Sequence, residues 1–99
     1  MDNIYVEPWR QVADERERSL LEEELRKEIG DGHLLAGLGA KVLARRDDRD
    51  DILVSLERGQ VAEVHLTWSG KKEPHPSWPR TVIFESMDEW RTKVGGDLT

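Results

Sequence analysis

The sequence predicts an α+β domain built from an N-terminal helix, a four-stranded antiparallel meander and a short C-terminal helix. Three observations lead there. Trp9 to Ile29 contains no glycine or proline and carries apolar residues at helical spacing. Four later segments alternate apolar and polar residues with period two. The connections between consecutive strands are too short for the helical crossover that parallel pairing requires. The order α-β-β-β-β-α implies two layers, with the helices laid on one sheet face.

The first helix is expected from about Trp9 to Ile29, with Pro8 suited to its first turn. Its apolar residues form two stripes. Leu21, Leu25 and Ile29 share one face, whereas Trp9, Val12, Ala13 and Leu20 cluster nearly opposite. Ser19 and Glu22 match a capping box, so a break near Ser19 is the alternative. Gly30 and Gly32 stop the helix, and His33 to Gly39 reads as a buried connector. The strands follow at Ala40–Arg45, Ile52–Glu57, Ala62–Trp68 and Thr81–Glu85. Gly59 supplies a positive φ between the second and third. Ser86 caps the closing helix, from Met87 to about Val94, and Gly95-Gly96 end it.

Alternation assigns Val42, Ile52, Val54, Leu56, Val64, Leu66, Trp68, Val82 and Phe84 to the sheet side of the core. Leu21, Leu25, Ile29 and Trp90 should cover them. A chain of 99 residues makes one domain, 1–99, with a core over about 19–94 and fraying ends at 1–8 and 95–99.

Composition excludes several classes of function. There is no cysteine, hence no disulfide, thiolate nucleophile or zinc-thiolate cluster. No secretory leader and no apolar run of about 20 residues is visible, so a soluble, cytoplasmic protein without a membrane role is expected. The net charge of −6 argues against general nucleic-acid binding, which needs a basic footprint. The four carboxylates of the turn Arg45 to Asp51 are interrupted by arginine and lack the order of a calcium loop. His33 and His75 are isolated, and no HxH, HxxH or HExxH spacing occurs, so neither a metal nor another cofactor is expected.

Two places remain as candidate sites. Glu63, His65 and Thr67 form one row of the third strand, a pattern that could transfer protons because histidine titrates near neutrality beside an orienting carboxylate. The row equally suits a polar outer sheet face. The second place is the loop between Trp68 and Arg80, which reads WSGKKEPHPSWPR. Trp78, Lys71, Lys72, His75 and Arg80 offer flat aromatic surface and donors, and Pro74, Pro76 and Pro79 limit the entropy lost on binding. Such a mixture also suits a single-stranded nucleic acid, although the overall charge opposes it.

The segments Gly32-His33-Leu34, Arg45-Arg46 with Asp48, Asp50 and Asp51, and above all His65-Leu66-Thr67-Trp68-Ser69-Gly70 followed by Trp78-Pro79, resemble a family of small uncharacterised bacterial proteins. The resemblance runs from about Leu25 to Trp90. It implies a compact standalone domain and transfers no catalytic residue. The expected function is therefore non-enzymatic binding, through the Trp68–Arg80 loop and the outer sheet face, of a protein partner or a second copy of the chain. The two-faced first helix would favour self-association. The alternative is a small hydrolase or transferase that acts on an anionic substrate through His65, Thr67 and Glu63.

Overall fold

The computed structural model describes residues 8–30, 32–46, 48–68 and 79–97. Its elements in chain order are β1 (Trp9–Gln11), α1 (Glu15–Glu28), β2 (Lys41–Arg46), β3 (Asp51–Ser55), a 3₁₀ turn (Glu57–Gly59), β4 (Val61–His65), β5 (Arg80–Phe84) and α2 (Met87–Asp97). The sheet order is β1-β2-β3-β4-β5, antiparallel throughout. The class is α+β, as the sequence predicts, but the sheet has five strands rather than four.

The fifth strand comes from the segment expected to begin the first helix. Asp14 caps α1 by accepting the Arg16 N–H at 2.8 Å, so the helix starts only at Glu15. Upstream, Trp9–Gln11 pairs with β2, and the Val12 N–H donates to Leu43 O at 3.0 Å. The apolar stripe opposite Leu21 is thus no second helix face. Trp9 and Val12 are buried within this one chain, at 3% and 1% exposure. Neither residue therefore needs a second copy of the chain to cover it. Ser19 neither breaks nor caps the helix, and the carboxylate of Glu22 instead accepts the Val42 N–H at 2.9 Å.

The two helices lie on opposite faces of the sheet, not on one. Leu21 and Leu25 of α1 pack with Val42, Ile52, Val54, Ala62, Val64 and Leu66. Trp90 and Val94 of α2 pack with Trp9, Ala44, Leu53, Val61 and Phe84. Both faces of the central strands are therefore apolar, which explains the run Ile52-Leu53-Val54. A bulge between Val42 and Ala44 sends these two residues to different faces despite their even spacing.

One charged arrangement ties α1 to the sheet. Arg10 and Arg45 are directly opposite on β1 and β2, a repulsive cross-strand pair. Glu17 bridges them, at 2.6 Å from Arg10 and 3.0 Å from Arg45, and its carboxyl is held below the usual range chiefly by the Arg10 bond.

Leu66, 1% exposed, lies on the α1 side of the core. Leu66→Ala is expected to cost on the order of 2–5 kcal/mol in chemical denaturation. A loss below about 1 kcal/mol would show that the end of β4 does not seat against α1.

Candidate functional site

α2 covers only part of its sheet face. Beyond it, a concavity of about 520 Å³ opens over the ends of β3, β4 and β5, lined by Asp51, Glu63, His65, Arg80 and Val82, with Arg49 at the turn. Strand register builds this basin. Asp51 lies opposite His65, and His65 lies opposite Arg80, so an acid, an imidazole and a guanidinium form one row across three strands. His65 Nδ1 and Asp51 Oδ1 are 2.6 Å apart, and Arg49 Nε is 3.7 Å from the other Asp51 oxygen. Asp51 thereby holds the imidazole in a fixed orientation. The His65 side chain stays 42% exposed, so the basin is wide-mouthed.

Of the predicted Glu63–His65–Thr67 row, two members line the basin and the third leaves it. Glu63 accepts Trp90 Nε1–H at 2.7 Å and lies 3.6 Å from Lys93 Nζ, which binds it to α2. Thr67 follows the end of β4, where alternation no longer governs, and donates its N–H to Glu28 Oε1 on the α1 side at 2.8 Å. Two of the four acids of the turn are engaged as well: Asp48 forms a two-pronged pair with Arg46, and Asp51 faces His65. Trp78, Lys71, Lys72 and His75 lie outside the described residues. Arg80 opens β5 and is exposed.

Two apolar residues assigned to the core turn outward instead. Val82 faces the α2 side beyond the reach of that helix and is 51% exposed. Trp68 has φ +58° and is 46% exposed, because β4 ends at His65 and the backbone turns before the tryptophan is reached. A bulky side chain in the left-handed region stores roughly 1–2 kcal/mol of strain.

What holds Trp68 there is the carboxylate of Glu28, a residue outside both candidate sites of the sequence. Glu28 is fully buried, and its two oxygens accept the backbone N–H groups of Thr67 and Trp68, the latter at 2.7 Å. Burial pushes its carboxyl up to about 7; the neighbouring Glu24 adds to the rise, and the two backbone bonds oppose it. The signal was present in the spacing. Leu21, Glu24, Leu25 and Glu28 follow the i, i+3, i+4, i+7 pattern of a buried stripe.

The other end of the loop is pinned from the same side. The Leu35 N–H donates to His33 Nδ1 at 3.0 Å, which leaves Nε2–H to donate to Pro79 O at 2.8 Å. The Thr81 hydroxyl donates to the same carbonyl at 2.9 Å. His33 is buried in the connector as expected, and it acts there as a clamp. Trp68 and Pro79 are therefore fixed by α1 and by the connector that follows it, respectively.

Comparison with known proteins yields no match among family models, curated proteins or solved structures.

Proposed function

We propose that the protein is a non-enzymatic binding module that grips a protein partner with Trp68, the sequence segment that follows it as far as Arg80, and the basin around His65 and Arg80. The observation that carries this reading is the conformation of Trp68. A large aromatic ring is held outward, on strained backbone, by a buried carboxylate that accepts both adjacent N–H groups. Strain maintained by a buried polar device is characteristic of functional positions, and tryptophan is a frequent anchor of interfaces. Trp78, Lys71, Lys72 and His75 join this surface on the strength of the sequence. A second copy of the chain is the other partner considered, and a bacterial, cytoplasmic setting belongs to the same proposal. Its support is a chain free of cysteine; no helix among the described residues is long and apolar enough to cross a membrane.

Trp68→Gly tests the reading, because glycine accepts the positive φ and only the ring is lost. The expected result is an unchanged or slightly raised melting temperature, with partner capture from native lysate weakened by about 2 kcal/mol or more. Retention of the same proteins at the same intensity would remove Trp68 as the anchor.

A second reading is favoured by the 2.6 Å contact between His65 and Asp51. A histidine oriented by a carboxylate, with Arg49 and Arg80 around it, has the make-up of a general base beside an anion site. It would activate water against a phosphate or carboxylate ester. Thr81 Oγ1, the one hydroxyl in the described lining, is bonded to Pro79 O and to His33. A panel of such esters, hydrolysed by the parent protein and not by His65→Ala, would support this reading over the first.

A further inference from the structure

A second concavity, of about 530 Å³, lies on the α1 side of the molecule, between the last turns of α1 and the connector to β2. Its size is within the roughly 300–1,000 Å³ range of small-molecule sites. Leu25, Ile29, Leu35, Ala36 and Ala40 form its apolar interior. Gly37 and Gly39 form one wall with φ values of +77° and +61°, and a Cβ placed on either would meet nothing within 4 Å. The connector thus presents bare backbone to an open space. Arg26 and Lys41 stand at the rim, both exposed, and neither has an ion-pair partner among the described residues. The acid at the same rim, Glu22, accepts the Val42 N–H with Oε2. Nearby Glu23 lies 3.7 Å from Lys27.

We infer that this groove binds a small amphipathic organic anion, its apolar tail among Leu25, Ile29 and Leu35 and its carboxylate between Arg26 and Lys41. Charge complementarity selects the anion. In a chain of net charge −6, two unpaired cations facing one apolar opening stand against the overall field. The apolar interior selects a ligand with a tail, since a fully hydrated anion would leave that surface wet. Long basic side chains suit this task because their stems pack on apolar surface while their heads reach the carboxylate.

Decanoate, below its micellar concentration, is the probe, and isothermal titration calorimetry is the measurement. The expected result is saturable one-to-one binding, with octanoate about tenfold weaker because two methylenes fewer are buried. Arg26→Gln with Lys41→Gln, both at exposed positions, should weaken decanoate by about tenfold or more. Ala36→Trp should fill the groove and abolish binding, with circular dichroism confirming the fold. Decyltrimethylammonium, with the same tail and the opposite charge, should not bind. Absence of saturable decanoate binding, equal binding of the cationic probe, or indifference to the double glutamine variant would each overturn the proposal. A concentration-dependent mass in light scattering that Ala36→Trp abolishes, without decanoate binding, would assign the groove to a second copy and overturn it equally.

Discussion

Replacing Glu28 with alanine is expected to destabilise the fold by roughly 3–5 kcal/mol, more than any other single polar change. Two backbone N–H groups, those of Thr67 and Trp68, lose their acceptor at once. Each buried donor left unpaired costs about 1–3 kcal/mol, and the strained turn at Trp68 loses what fixes it. Glu28 should also set a pH dependence whose sign differs from that of most acids. Its carboxyl titrates at about 7 in the folded chain and near 4.5 when unfolded, so the native state binds the extra proton. That contribution is fully present below the unfolded value and is lost as pH rises through 7. Glu17 acts the other way: its carboxyl is lowered by Arg10, so its share is lost as pH falls below 4.5. Stability should therefore peak near pH 5 and fall by on the order of 2–3 kcal/mol by pH 8. Urea denaturation of the parent protein and of Glu28→Gln at both pH values measures this. Glu28→Gln cannot titrate and should lose the slope. Equal midpoints for the parent protein at pH 5 and pH 8 would show that the Glu28 carboxyl is not raised.

Trp90→Ala is the second change with a large expected effect, at about 3–5 kcal/mol, the range for truncating a buried aromatic. Trp90 is 1% exposed and meets Trp9 edge to face, with ring centroids 5.3 Å apart and planes at 83°. It also donates Nε1–H to Glu63 at 2.7 Å. Its loss would empty the centre of the α2 cluster, deprive Trp9 of β1 of its aromatic neighbour and leave Glu63 short of a donor. Trp90→Phe separates the contributions: it keeps most of the ring packing and deletes the bond, and should cost about 1–2 kcal/mol. If both variants cost less than about 1 kcal/mol, α2 would not be a layer of the core.

How far the fold was legible depends on whether local chemistry or distant contacts decided each element. The strands β2 to β5 were readable because alternation and turn residues act over a few positions. The three-residue spacing of Trp9 and Val12 fits one face of a helix, but pairing with β2 makes the segment extended, and the two side chains enter opposite faces of the sheet. Leu53 alternates with the core residues Ile52 and Val54, and a strand by itself cannot show whether its second face will be covered; α2 covers it. Trp68 continued an alternating pattern on paper, but the strand ends three residues earlier. Within the candidate site, His65 and Arg80 could be named from the sequence, whereas Asp51 as the partner of His65 depends on the register between β3 and β4.

By itself the sequence determined the α+β class, the antiparallel connections, the buried positions Ile52, Val54 and Val64 on the α1 side of β3 and β4 and the chemical character of the loop before Arg80. Composition and short-range period carry that information directly. The tertiary structure alone decided that the helices take opposite faces, that His65 is partnered by Asp51 and that Glu28 and His33 clamp the two ends of the loop. Those are contacts between residues 14 to 46 positions apart. Whether a carboxylate on an apolar stripe is tolerated depends on a donor that only the folded chain brings within reach.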